Sequence, residues 1–287
     1  MLYQRIAIAL IGVPIAIILT AIGGAWLTCA LTIIAIVGLW ELYSTLAPLK
    51  VELVKETALP CACAFLWLTY LSSNSLDTLF IGWSVICFVL IFATLIYQMM
   101  HPQREHGKGW RITNVGITIF STLYVALLSF AILLREMPGE VKSPWLPDIA
   151  MPLGARLLLF TIAISWLTDA SAYFGGRWVG KRPLAMWISP GKTIEGAILG
   201  WLIGTGVSCI VGVGLGLQYQ HAAVIAAILA FTGQVGDLCE SIIKRDLGVK
   251  DFSSFIPGHG GILDRFDSLL INLPLAYFLV HVMNVTG

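Results

Sequence analysis

Apolar residues in this chain run in blocks, without the alternation of a half-buried strand and too long for one face of a globular helix. No charged residue stands between Arg5 and Glu41, a stretch of 35 residues broken by Gly23 and Gly24. A hydrocarbon layer is crossed by about 20 apolar helical residues, so this block predicts two spans, near 6–22 and 25–44. Uncharged stretches between Glu56 and Asp77, between Asp77 and Arg104, and between Arg111 and Arg135 predict spans three, four and five. A sixth, near 156–175, contains Asp169. The 41 uncharged residues between Glu195 and Asp237 break around 216–221 and so predict spans seven and eight, the latter continuing through Asp237. A ninth, near 262–284, starts with Asp264, Arg265 and Asp267. The expected fold is all-α, a polytopic integral membrane protein of about nine transmembrane helices forming a single membrane domain over 1–287. Its N-terminal spans cover about 6–134 and its C-terminal spans about 156–284. Pro14 should kink the first helix or be accommodated by its neighbours.

Composition agrees: 58% of the residues are apolar and 11% charged, against roughly 25% charged in soluble domains. A net charge of +1 argues against a nucleic-acid partner, which requires a clustered basic surface. Lys and Arg are retained on the cytoplasmic side of membranes. One set of segments holds thirteen of them: Arg5, Lys50, Lys55, Arg104, Lys108, Arg111, Arg177, Lys181, Arg182, Lys192, Lys244, Arg245 and Lys250. The other set holds Arg135, Lys142 and Arg156. The N-terminus is therefore expected in the cytoplasm and the C-terminus outside. No cleaved leader is expected, because the first apolar run leads directly into a second. The segment near 99–113, with His101, Arg104, His106, Lys108 and Trp110, reads as a membrane-surface loop. Cys29, Cys61, Cys63, Cys87, Cys209 and Cys239 lack paired metal-site spacing and read as small apolar core residues.

Acids inside a bilayer are expensive, so Asp169, Asp237 and Glu240 must face protein or water. Asp237 and Glu240 are three apart, as are Asp264 and Asp267, which would put each pair on one helical face. Two such faces can share a hard divalent cation such as Mg2+, which favours one or two carboxylates with water and substrate phosphates; Asp237, Asp264 and Asp267 suit that role. Against this stands a plain structural reading, in which Asp264 and Asp267 favour a helix N-terminus and Asp237 is neutralised by Arg265 or Lys244. Between the acidic pairs lie Lys244, Arg245, Lys250, His259, Gly260 and Gly261. Glycines let backbone amides approach an anion, and Lys244, Arg245 and Arg265 could complete an anion clamp. The basic pair also suits an interfacial anchor, and His259 suits a turn cap as well as a substrate contact.

The loop after span six has similar chemistry: Arg177, Lys181 and Arg182, then Ser189, Lys192, Thr193 and Glu195 entering span seven. Gly175 to Lys181 imitates a phosphate-loop spacing but continues with Arg182 and follows a membrane helix; Gly191-Lys192-Thr193 lacks the leading glycine. Neither is a Walker loop. Ser189, Lys192 and Thr193 still offer two hydroxyls and a cation to a nucleotide phosphate, although Thr193 also suits a helix cap.

The segment 241–267 reads S-x-x-K-R, four residues, K-D, then P-x-H-G-G-x-x-D-R-x-D, with a dozen constrained positions. It resembles the signature of the CDP-diacylglycerol synthase (phosphatidate cytidylyltransferase) family, and the segments at 169–173 and 188–196 resemble the same family. The recognisable portion, Asp169 to Asp267, is roughly a third of the chain. The resemblance implies Mg2+-dependent transfer of a cytidylyl group from CTP to phosphatidic acid in a bacterial inner (plasma) membrane. It makes 156–284 the catalytic half, with the site on the cytoplasmic face, and raises a homodimer as an expectation. It implies metal coordination by Asp237, Asp264 and Asp267 and phosphate contacts from Lys192, Lys244, Arg245 and Arg265. It also implies substrate binding by Asp169, Ser189, Thr193, Glu195, Lys250, His259, Gly260 and Gly261. Two other classes stay open, another CTP-dependent lipid enzyme of the polyprenol kinase type and an ion-coupled transporter, although no inverted repeat supports the latter.

Overall fold

The computed structural model describes residues 2–101, 110–145, 147–253 and 260–285, without the side chains of residues 2–9. Among these residues there are ten α-helices: α1 (Leu2–Ile22), α2 (Gly24–Leu46), α3 (Lys55–Leu71), α4 (Leu76–Met100), α5 (Trp110–Ala126), α6 (Ser129–Arg135), α7 (Leu153–Val179), α8 (Ile194–Gly214), α9 (Tyr219–Asp246) and α10 (Asp267–Val282). Six stretches are long and apolar enough to cross a membrane: Gly24–Leu49, Leu76–Met100, Trp110–Arg135, Leu153–Val179, Ile194–Gly214 and Tyr219–Asp246. The described part of α1, Leu10–Ile22, and α10 are shorter apolar helices, and α3 has 17 residues. The chain is thus a mostly helical integral membrane protein, and large apolar side chains such as Phe80, Ile81, Phe88 and Phe92 stand exposed where lipid would cover them.

The break after α1 is made by backbone geometry. Gly23 (φ 65°) and Gly24 (φ 55°) lie in the left-handed region, which costs glycine little and other residues more. Helix ends leave carbonyls without intrahelical donors. Here the Arg135 guanidinium supplies them, through Nε to Thr20 O (2.6 Å) and Nη2 to Ala21 O (3.0 Å). The fifth expected span is two helices, α5 and the wholly buried α6, separated at Leu127 and Leu128. Phe130 of α6 packs edge-on against Trp83 and Tyr277, tying α4 to α10.

α7 and α8 approach through small residues. A Cβ at Gly200 would lie 2.6 Å from that of Ala172, and one at Gly204 2.7 Å from Thr168 Oγ1. Lipid tails provide little hydrophobic drive for helices to associate, so such close backbone contact supplies the attraction. Between these helices β1 (Pro183–Ala185) and β2 (Ser189–Thr193) form an antiparallel hairpin, with Pro183 opposite Thr193 and Ala185 opposite Ser189. The hairpin departs from the purely helical expectation. The expected start of the ninth span is also corrected: Leu263–Arg265 is a 3-10 turn and α10 begins at Asp267. The six cysteines are unpaired; Cys61 and Cys209 are buried as expected, whereas Cys29 and Cys239 are exposed, as apolar residues can be on a lipid-facing helix.

Candidate active site

A cavity of about 1050 Å³ opens among α1, α7, the hairpin, α9 and the start of α10. Eight residues expected from sequence line it: Asp169, Lys192, Thr193, Asp237, Lys244, Asp264, Arg265 and Asp267. Val13, Ala16, Ile162, Trp166 and Leu269 give it an apolar wall beside that polar one.

Three helices contribute the carboxylates. Asp169 lies on α7, Asp237 on α9 and Asp267 at the first position of α10. The Ser268 hydroxyl stands 2.9 Å from Asp267 Oδ1 and 3.4 Å from Asp169 Oδ2, and the Ser268 amide donates to the same Asp267 oxygen (2.6 Å). Asp237 forms an ion pair with Lys192 and accepts a hydrogen bond from the Ser241 hydroxyl (3.4 Å). The partner of Asp237 is thus Lys192, contributed by the hairpin, and neither Arg265 nor Lys244. Gly236 allows α9 to lie close to α10, since a Cβ there would meet the Ile271 side chain at 3.0 Å and Asp267 O at 3.3 Å.

The second acidic group is a buried network. Lys244 Nζ donates to Asp264 Oδ1 (2.7 Å) and Glu240 Oε1 (3.1 Å), and Glu240 Oε2 accepts from the Tyr124 hydroxyl (3.1 Å). Asp264 Oδ2 accepts from the amides of Phe252 (3.0 Å) and Gly261 (2.8 Å). Asp264 and Asp267 therefore serve different partners, contrary to the expectation of one shared helical face, because the 3-10 turn interrupts the helical phase between them. Both oxygens of Asp264 are engaged by protein donors. The Gly261 amide, expected to approach a substrate anion, meets this carboxylate.

Several expected substrate contacts build the scaffold. Glu195 accepts from the amides of Lys181 (3.0 Å) and Arg182 (3.1 Å) and pairs with Arg182 Nε (2.9 Å), clamping the start of the hairpin. Thr193 accepts from the Gly196 amide (3.1 Å), so it caps α8 as well as lining the cavity. Arg245 donates to Ile188 O (2.9 Å) and Val249 O (2.8 Å), pinning the hairpin to the end of α9. Ser189, Glu195, Arg245, Lys250, Gly260 and Gly261 are not among the cavity-lining residues. The expectations for His259, Arg104, His106 and Lys108 fall outside the described residues. Arg177, Gln234 and Asp251 also line the cavity, and Tyr124 supports it from α5; neither Gln234 nor Tyr124 carries a charge or a motif position that would single it out in the sequence.

The donor set can be tested against Mg2+. Asp169, Asp237 and Asp267 offer hard oxygens, and among the described residues Asp169 Oδ1 and Asp267 Oδ2 receive no hydrogen bond. Lys192 is the one cation in direct contact with these three carboxylates among the described residues. No cluster of three described acids, His or Cys forms a ready cage, and Mg2+ does not require one, since it keeps several waters and takes one or two carboxylates plus phosphate oxygens. The residues fit such an ion.

A pocket that sets lysine, arginine and carboxylates beside an apolar wall suits a phosphorylated, lipid-soluble substrate. Comparison with known proteins agrees: residues 3–283 match the model of the cytidylyltransferase family. The chain belongs to that family. It is 30% identical over 302 residues to the phosphatidate cytidylyltransferase of Synechocystis sp., covering 98% of this chain and 97% of that protein. It is 32% identical over 302 residues to the phosphatidate cytidylyltransferase of Haemophilus influenzae, covering 99% and 100%. A Staphylococcus epidermidis protein of the same name is 46% identical over 129 residues, or 44% of this chain and 50% of that one. Membership of the cytidylyltransferase family thus extends to the N-terminal helices, where the sequence alone showed matching hydropathy and no motif.

Proposed function

We propose that this protein transfers the cytidylyl group of CTP to phosphatidic acid, giving CDP-diacylglycerol and pyrophosphate. The observation that carries the reading is one cavity joining Asp169, Lys192, Asp237, Arg265 and Asp267 to the apolar wall of Val13, Ala16, Ile162 and Leu269. The polar end suits nucleotide and lipid phosphates, and the apolar wall suits the glycerolipid beside them. An oxygen of the lipid phosphate forms a bond to the α-phosphorus of CTP while the bond from that phosphorus to the pyrophosphate breaks. A phosphate monoester with a second pKa near 6 is already mostly dianionic at neutral pH, so no strong base is needed. The protein's task is to align the two phosphates and offset their charge.

Asp237 and Asp267, with Asp169 beside them, would hold Mg2+ directly or through water. When bound, the ion neutralises charge on the nucleotide and leaving-group phosphates. Asp264, expected to join them, is assigned to holding Lys244 at the cavity edge. Arg265 is exposed and makes no ion pair among the described residues, which leaves it available to a phosphate. Lys192 would exchange Asp237 for a nucleotide phosphate, and Thr193 would present its hydroxyl beside it. Purified protein given CTP, phosphatidic acid and Mg2+ is expected to release pyrophosphate and form the liponucleotide, and chelation with EDTA is expected to stop both. Release of CDP would instead indicate a lipid kinase, and transport without CTP consumption a carrier.

The finer arrangement belongs to the same proposal: nine crossings, with α1, α3 and α10 joining the six longer spans, and 156–284 acting as the catalytic half of a single domain. The count of thirteen basic residues against three supports a cytoplasmic site and N-terminus and an external C-terminus, in a bacterial plasma membrane. A reporter fused after Gly287 is expected to read external; a cytoplasmic signal would refute this orientation. A homodimer would appear as twice the protomer mass in detergent.

A further inference from the structure

The segment that carries Asp264 and Arg265 is held from behind by a residue that no motif marks. Glu41, on α2, is only 2% exposed. Its Oε1 accepts from the Ser253 hydroxyl (2.6 Å) and the Ile262 amide (2.8 Å), and its Oε2 accepts from the Leu263 amide (2.9 Å). The two amides begin the 3-10 turn Leu263–Arg265, so the carboxylate occupies the place of a cap. One turn later on α2, the Thr45 hydroxyl lies 3.0 Å from Phe252 O, and one turn earlier Gly38 faces the Leu263 side chain. Positions 38, 41 and 45 share one helical face. That face therefore grips both Phe252–Ser253 and Ile262–Leu263. Asp264 and Arg265 follow the second grip directly, and Phe252 donates its amide to Asp264 from the first.

The same contact accounts for Gly261. A Cβ there would lie 2.7 Å from Glu41 Oε2 and 2.8 Å from Oε1, closer than real Cβ contacts allow, and the carboxylate is held by three donors and cannot swing aside cheaply. A buried polar side chain is costly without hydrogen-bond partners, and these three donors provide them. Glu41 is not among the residues that line the cavity.

We infer that Glu41 is a positioning residue, by which α2 fixes the catalytic turn so that Asp264 stays on Lys244 and Arg265 faces the substrate phosphates. The inference rests on the proposed cytidylyl transfer for its kinetic consequence, but the contact itself can be measured without substrate. Two measurements on the full-length protein in detergent test it. Misplacing reacting groups by about 1 Å can cost about 100-fold in rate, so Glu41→Gln is expected to lower kcat by about that factor with KM for CTP little changed. Glu41→Asp should recover part of the loss. Amide hydrogen exchange at residues 260–265 should accelerate in Glu41→Gln while exchange in α7 and α8 stays as in the wild type, a local opening in place of general destabilisation. Wild-type kcat, or unchanged exchange at 260–265, overturns the inference; so does a loss that appears entirely in KM. Should Glu41→Gln fail to fold, Thr45→Val removes the hydroxyl that reaches Phe252 O and the Glu41 carbonyl while leaving the Glu41 carboxylate itself in place. It must then accelerate exchange at 252–253 and lower kcat several-fold, and an unchanged Thr45→Val protein overturns the inference equally. A wild-type protein inactive on CTP and phosphatidic acid would sink the proposed function while leaving the exchange comparison to decide the role of Glu41.

Discussion

Asp237→Asn is expected to lower turnover by about 100- to 1,000-fold, the size of loss seen when one preorganised electrostatic group is removed from a reacting centre, while the protein still expresses and melts nearly as the wild type does. The two parts of this expectation have separate grounds. Asp237 lies on α9 in the cavity wall, and its carboxylate is one of three acids from different helices that face the same space. Asparagine keeps the volume and one oxygen but removes the charge, so both the ion that would bridge to the nucleotide and the pairing that orients Lys192 are weakened. Stability should change little because the pair is partly solvated, with side-chain exposures of 31% for Lys192 and 25% for Asp237, and pairs of that kind contribute at most about 1 kcal/mol. Pyrophosphate release under saturating CTP and Mg2+, beside a thermal melt in the same detergent, measures both. Near-wild-type turnover would remove Asp237 from the centre.

Asp264→Asn should behave differently, losing activity and about 3–5 kcal/mol of stability, the usual cost of breaking a buried ion pair from one side. Asp264 is 5% exposed and Lys244 is 7% exposed. The substitution leaves an ammonium with Glu240 as its remaining acid and sets an amide NH2 or a single oxygen against two backbone donors, those of Phe252 and Gly261. Lys244 also sits 5.7 Å from the centre of the Phe252 ring, so its displacement would loosen that end of the catalytic segment too. Chemical denaturation in detergent is expected to show the loss even without Mg2+ or substrate. If Asp264→Asn were inactive but as stable as the wild type, the direct metal role suggested by its motif position would be favoured over the lysine-holding role assigned here. The comparison between Asp237 and Asp264 thus separates the role proposed for Asp237, on substrate, from that proposed for Asp264, in the wall behind it.

Much of the architecture was legible because bilayer thickness imposes a length on every apolar run. The break at Gly23-Gly24, the helix running through Asp237 and the polar loop after Asp169 all correspond to elements of the structure. The candidate site was legible through cost, since acids in apolar helices demand partners. Which partners they find was not. Lys192 reaches Asp237 across 45 positions of sequence only because the hairpin folds back under Glu195 and Arg245. Tyr124 and Glu41 come from helices with no recognisable motif, and Glu41 showed itself only as the end of a long uncharged run.

What the amino-acid order determined by itself is the placement of most of the long helices, their apolar character and the location of the polar groups near the ends of particular spans, because these depend on local hydropathy and on the energetic cost of charge in lipid. The division of labour among the acids was decided only by tertiary structure. Asp264 and Asp267 are three residues apart, yet a 3-10 turn between them turns one toward Lys244 and leaves the other beside Asp169. Hydrogen bonds and ion pairs act over about 3 Å, so a change of direction in a single turn is enough to reassign a carboxylate, and that change is set by contacts with α2 that lie more than 200 residues away in the chain.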